Sequence, residues 1–102
     1  MHRIEILLPL RDEEGRRFDA AQYAKLRAAL VDRFGGLTAF TRAPAEGLWE
    51  SDDGERSRDE IIIFEVMADR LDRDWWRTTR ERLERQFRQD EIVIRAQLIE
   101  RL

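Results

Sequence analysis

Residues 61–67 read Ile-Ile-Ile-Phe-Glu-Val-Met, and this stretch decides how the rest of the chain is arranged. Such a run predicts a central strand of a sheet with both faces covered. Two other stretches have the same character: residues 4–8, Ile-Glu-Ile-Leu-Leu, and residues 92–96, Ile-Val-Ile-Arg-Ala. Each of the three carries one charged residue among apolar ones, and these residues are Glu65, Glu5 and Arg95.

The first half of the chain predicts a strand followed by a helix. Within residues 3–10, apolar residues recur at every second position, which is typical of a strand; they are Ile4, Ile6, Leu8 and Leu10. Asp19 is the expected helix N-cap, and Gln22, three residues later, completes a capping-box pair. Gly35-Gly36 ends this helix, because glycine tolerates a positive φ.

The second half predicts three more strands and a second helix. Residues 37–50 form an edge strand with a bulge at Pro44, since proline cannot donate to a sheet. Residues 51–54, Ser-Asp-Asp-Gly, form a hairpin turn that leads to the strand at 60–67. Asp72 or Asp74 caps a helix whose buried stripe includes Trp76, Leu83 and Phe87. Residues 91–99 form the last strand.

This β-α-β-β-α-β order predicts a ferredoxin-like α+β domain spanning residues 1–102. Its four-stranded antiparallel sheet has two helices on one face. The first and third strands are central, with the fourth beside the first and the second beside the third. The predicted core face of the sheet consists of Ile4, Ile6, Leu8, Ile62, Phe64, Val66, Ile92, Ile94 and Leu98.

The other face of the sheet is unusually apolar for a surface in water. Strand parity assigns to it Glu5, Leu7, Pro9, Ile61, Ile63, Glu65, Met67, Val93, Arg95, Gln97 and Ile99. An exposed apolar patch of this size marks an interface, and the commonest partner is a second copy of the same chain related by a two-fold axis. The sequence therefore predicts a homodimer through this open face.

The same strand order places Glu5 between Glu65 and Arg95. The three side chains form either a structural ion network or a site for a ligand or for catalysis. Trp49, on the edge strand near Pro44, either stacks on a ligand or packs in the core or dimer interface.

Composition excludes several classes of function. The chain has no Cys and a single His, His2, which excludes a disulfide, a thiolate metal site and a His-based triad within one chain. The net charge is -3, and the second helix has acidic residues three or four positions from its arginines, where opposite charges can pair. An RNA-binding sheet displays aromatics on the open face of its central strands, where this chain has Glu5 and Leu7. We therefore expect no nucleic acid, membrane, metal or cofactor, and a cytoplasmic location.

Three segments also carry a family resemblance: residues 34–38, Phe-Gly-Gly-Leu-Thr; residues 47–49, Gly-Leu-Trp; and the apolar strand after a charged hairpin. In these the chain resembles small uncharacterised bacterial ferredoxin-like proteins. Its element order also resembles the dimeric α+β barrel superfamily, which includes cofactor-independent monooxygenases, isomerase-like enzymes and stress-response proteins. The resemblance implies a dimer with a cavity between sheet and helices or at the subunit interface.

The sequence thus leaves three functions open. The first is a non-enzymatic, soluble homodimeric domain that binds a small ligand. The second is a cofactor-independent enzyme, monooxygenase- or isomerase-like, that acts on a small organic substrate. In it, Glu5 or Glu65 is the acid or base and Arg95 holds an anionic group. The third is a regulatory module that binds its ligand at a subunit interface near Gly15 or Gly47.

Overall fold

The computed structural model describes the backbone of residues 1–50 and 56–102 and the side chains of residues 1–41 and 60–102. The strands are β1 (His2–Pro9), β2 (Thr38–Glu50), β3 (Arg56–Ala68) and β4 (Ile94–Leu98), and the helices are α1 (Ala20–Phe34) and α2 (Arg73–Gln86). The predicted hairpin turn at 51–54 lies outside the described residues.

All pairings in the sheet are antiparallel, and the strand order is β2-β3-β1-β4. This confirms the predicted ferredoxin-like α+β fold. The β2–β3 register shifts between Phe40 and Ala45, so the irregularity expected around Pro44 is present. The last strand is shorter than the predicted 91–99, although the backbone N–H groups of Leu7 and Ile99 still bond to Val93 and Met1 across the β1–β4 pair.

Helix α1 begins and ends at the predicted residues, but one expected contact is absent. Asp19 is the N-cap, and its Oδ1 accepts from the N–H of Ala21 at 3.0 Å. The capping-box prediction for Gln22 is wrong, because its Oε1, which would accept from the N–H of Asp19, has no hydrogen-bond partner among the described residues. Its Nε2 donates to the carbonyl of Gln86 at 3.4 Å. That carbonyl lies in the last turn of α2, where it lacks a partner within the helix. Gly35 adopts φ of 80° and ends α1.

Helix α2 is capped by Asp72, whose Oδ1 accepts from the N–H of Trp75 at 3.1 Å. Trp76 is buried and Trp75 half-buried, as the divergence of successive helical residues requires. Near the other end of the helix, Glu84 Oε2 accepts from the N–H of Ile92 at 2.9 Å. This bond ties α2 to the segment that leads into β4.

The core lies between the helices and one face of the sheet. Buried on the sheet side are Ile4, Ile6, Leu8, Ile62, Phe64, Val66 and Ile92. The helices contribute Tyr23, Leu26, Leu30, Trp76, Thr79 and Leu83, and Phe87 follows α2. Two predicted core residues differ: Ile94 is only half-buried, and Leu98 is 74% exposed. Both lie on the edge strand β4, beside an open groove between that strand and α2.

Candidate functional site

The sheet register brings together the three charged residues that interrupt the apolar strands. Glu5 pairs with Glu65 across β1 and β3, and with Arg95 across β1 and β4. The predicted neighbourhood, with Glu5 between the other two, is therefore present on the face of the sheet opposite the helices.

The charges in this neighbourhood are mutually paired. Arg95 Nε donates to Glu5 Oε1 at 3.1 Å, and Arg3 Nε lies 3.6 Å from Glu65 Oε1. Arg3 also donates to the side-chain oxygen of Gln97. We call Arg3, Glu5, Glu65, Arg95 and Gln97 the charged cluster. It contains two carboxylates and two guanidiniums, so its formal charge is zero.

Sequence reasoning missed Arg3, although a signal for it was present. Arg3 precedes Glu5 by two residues, and side chains two apart on a strand share a face. The face assignments in this strand begin at Ile4 and Glu5, so they leave out Arg3 although the predicted strand includes it.

The carboxylates of the cluster are better covered than the arginines. The side chains of Glu5 and Glu65 are each 19% exposed, whereas those of Arg3 and Arg95 are 38% and 57% exposed. The arginine side chains are therefore the more accessible part of the charged cluster. Such an arrangement satisfies the charges and still presents N–H donors outward.

Apolar side chains surround the charged cluster. Leu7 and Ile63 pair across β1 and β3 and are half-buried, and Phe40 lies opposite Ile63 on β2. Phe40, Met67 and Val93 are between 44% and 49% exposed. This face thus combines neutralised charges with exposed apolar surface.

A hollow of about 520 Å³ borders one member of the cluster. It lies where α1 ends and β2 begins, and Glu65 and Met67 of β3 contribute to its wall with Phe34, Leu37 and Thr38. Glu5 and Arg95 do not line it. The three residues predicted as one site therefore share a surface but not this cavity.

Two other candidates lie in the β2–β3 ladder. Trp49 pairs with Ser57 and Gly47 with Asp59, and the side chain of Trp49 lies outside the described residues. Gly15 has φ of 82° in a turn where Asp12 Oδ1 accepts from the N–H groups of Glu14 and Arg16. This gives Gly15 a structural role in its turn.

Two further observations concern metals and membranes. Among the described residues, no group of three or more His, Cys, Asp or Glu side chains is arranged to hold a metal ion. Within the same part of the chain, neither helix has the length and apolar character needed to cross a bilayer.

The chain matches no model of a known protein family and no curated protein sequence. Two solved structures resemble it. Phage SAM lyase in complex with S-methyl-5'-thioadenosine has a TM-score of 0.61 and 14% identity, over 94% of this chain and 79% of that one. Phage SAM lyase in its apo state has a TM-score of 0.61 and 12% identity, over 94% and 78%. The chain therefore shares its α+β fold with an enzyme.

Proposed function

We propose that this protein is a homodimeric domain that assembles through the open face of its sheet and binds a small ligand in the hollow beside Glu65. The observation that carries the proposal is the pairing of a neutral charged cluster with exposed apolar side chains on a sheet face that neither helix covers.

The charge composition of this face favours a second copy as its cover. In a two-fold interface the same patch meets itself, so its charges must be self-complementary. The cluster contains two pairs, Glu5 with Arg95 and Glu65 with Arg3. Each pair has one carboxylate and one guanidinium. A second copy can thus offer an opposite charge to every charged side chain of the cluster while burying Phe40 and Met67.

Analytical ultracentrifugation tests the assembly with one matched pair of variants. Met67→Lys places a charge on the open face, and Val31→Lys places the same charge on α1, where Val31 is similarly exposed at 46%. We expect the wild type and Val31→Lys to sediment as dimers and Met67→Lys as a monomer. A monomeric wild type at tens of micromolar, or a dimeric Met67→Lys, would contradict the proposal.

Ligand binding in the hollow is tested with S-methyl-5'-thioadenosine, the compound bound in one of the two structures of similar fold. Thermal unfolding is followed with increasing S-methyl-5'-thioadenosine, since a ligand that binds only the folded state raises the Tm. We expect a rise that is lost in Thr38→Arg, which fills the hollow, and kept in Thr78→Arg on the exposed part of α2. No rise in the wild type would remove this ligand class.

The second candidate function is an enzyme of the cofactor-independent kind, with Glu65 as acid or base. Two observations favour it: Glu65 borders the hollow, and the structures of the same fold are named SAM lyases. Incubation with SAM, followed by chromatography of the products, tests it. Turnover should be lost in Glu65→Gln and kept in Glu60→Gln, since Glu60 pairs with Arg11 and does not line that hollow. Equal turnover in both variants would exclude this role for Glu65.

A further inference from the structure

The outer edge of β4 carries backbone groups that the sheet does not use. In the β1–β4 pair, the N–H of Leu7 donates to the carbonyl of Val93, and the N–H of Ile99 donates to the carbonyl of Met1. Hydrogen-bonded and non-hydrogen-bonded positions alternate in an antiparallel ladder. The even-numbered residues Ile94, Ala96 and Leu98 therefore direct their N–H and C=O groups away from β1.

A groove with basic walls and an apolar floor runs beside this edge. It encloses about 200 Å³ between α2 and β4, and Ile4, Trp76, Ile94 and Ala96 contribute to its floor. Arg73, Arg77 and Arg80, at helical spacing on one side of α2, also line it, and none of the described Asp or Glu residues does. The nearest acids are Asp74, 2.7 Å from Arg77, and Glu84, 3.9 Å from Arg80.

The side chains and the free backbone groups of β4 point to one type of occupant. Ile94, Ala96 and Leu98 share the helix side of the sheet, so an added strand would place every second side chain over the groove. An apolar side chain there would cover the exposed Leu98 or the groove floor, and carboxylates would reach the arginines of α2. Strand addition of this kind takes affinity from main-chain hydrogen bonds and specificity from alternate side chains.

A second copy of this chain fits the edge less well. Antiparallel pairing of two β4 strands about Ala96 would bring the α2 helices of both copies to the same side of the sheet. Their arginines 73, 77 and 80 would then approach one another, and like charges across an interface are unfavourable. The groove is complementary to negative charge instead.

We propose that the outer edge of β4 binds an extended acidic segment of another protein, which adds a strand to the sheet and places its carboxylates against Arg73, Arg77 and Arg80. The added strand would lie beside the edge of β4, and Arg95 of the charged cluster also contributes to the groove lining. The interaction needs neither the proposed dimer nor its ligand.

The test uses two synthetic peptides of alternating sequence, acetyl-Thr-Glu-Thr-Leu-Thr-Glu-Thr-amide and its counterpart with Lys in place of both Glu. We expect the acidic peptide to bind the full chain at least tenfold more tightly than the basic one, with an affinity that falls as salt is added. In hydrogen exchange, the amides of Ile94, Ala96 and Leu98 should become protected on binding.

Charge-reversal variants on α2 separate a basic groove from general attraction. Arg73→Glu, which lines the groove, should weaken acidic-peptide binding at least tenfold. Arg82→Glu changes the same charge on the opposite side of the helix and should leave binding within twofold. The proposal is overturned if both variants bind alike, if both peptides bind alike, or if neither peptide binds. It is also overturned if protection appears at β2 and not at β4.

Discussion

The ion pair between Glu5 and Arg95 should have two different strengths, depending on whether a second copy covers it. The two atoms are 3.1 Å apart. At that separation, Coulomb's law gives about 1.3 kcal/mol at the dielectric constant of water and about 5 kcal/mol at an effective value of 20. In the monomer the Arg95 side chain is 57% exposed, so water and lost side-chain entropy offset most of this energy. We expect a net coupling of about 0.5–1 kcal/mol in the monomer, as for other accessible pairs.

Coverage by a second copy would raise this coupling, because a residue left without its partner would keep a charge that water no longer solvates. Truncation of one member of such a covered pair costs about 2–5 kcal/mol. We therefore expect the coupling between Glu5 and Arg95 to exceed about 2 kcal/mol in the dimer.

A double-mutant cycle measures this coupling directly. Urea unfolding is followed for the wild type, Glu5→Gln, Arg95→Gln and the double variant, at a concentration where the protein sediments as a monomer and at one where it is dimeric. The Asp74–Arg77 pair on α2 serves as the control cycle, since its atoms are 2.7 Å apart and both side chains are exposed. If the coupling of Glu5 to Arg95 is the same at both concentrations, the charged cluster does not lie in the interface.

Three further predictions concern the stability of the fold. Burial raises the pKa of Tyr23 from its ordinary 10.0 to about 12, against a smaller opposing effect of Arg17. The unfolded state then loses this proton at a lower pH than the folded state. The free energy of unfolding should therefore fall from about pH 10 upward, by up to about 1.4 kcal/mol per pH unit. Chemical denaturation of Tyr23→Phe should lack this decline. Leu30→Ala removes a fully buried side chain and should cost about 2–5 kcal/mol in urea unfolding, as the cavity it leaves is only partly refilled. Gly35→Ala places a Cβ at φ of 80° and should cost about 1 kcal/mol, whereas Gly36→Ala, without that constraint, should change stability by less than about 0.5 kcal/mol. Equal Tm values for the two glycine variants would contradict the role assigned to the end of α1.

The sheet and its register were predictable because they depend on local, periodic information. Alternation in β1 and the apolar run of β3 identify the faces, and the order of elements then fixes which strands are neighbours. Those two steps are enough to place Glu5 beside Glu65 and Arg95, residues that are far apart in the chain. The resemblance to the dimeric α+β barrel superfamily stays a prediction, as does the dimer itself.

The predictions for Gln22 and Leu98 were wrong because they depend on where the helices lie over the sheet and relative to each other. Gln22 has the spacing of a capping box, yet its amide reaches across to the end of α2, and no pattern within α1 contains that information. Leu98 has core parity, but parity assigns a face and not a depth. Whether a helix covers that part of the face depends on the position of α2, which leaves β4 beside an open groove.

Alternate residues of β4 face two surfaces whose charges have different consequences for assembly. On the open face, Arg95 pairs with Glu5, and the charged cluster contains as many carboxylates as guanidiniums. A patch of this composition can meet a rotated copy of itself without a net electrostatic penalty. On the helix side, Ile94 and Ala96 adjoin a groove lined by arginines and by none of the described carboxylates. A copy of the same groove would add like charge to like charge, so only a partner of opposite charge gains from contact there. The two surfaces should therefore respond differently to salt. Screening weakens binding at the groove, where net charges attract, and should leave the proposed dimer nearly unchanged because the charged cluster is neutral.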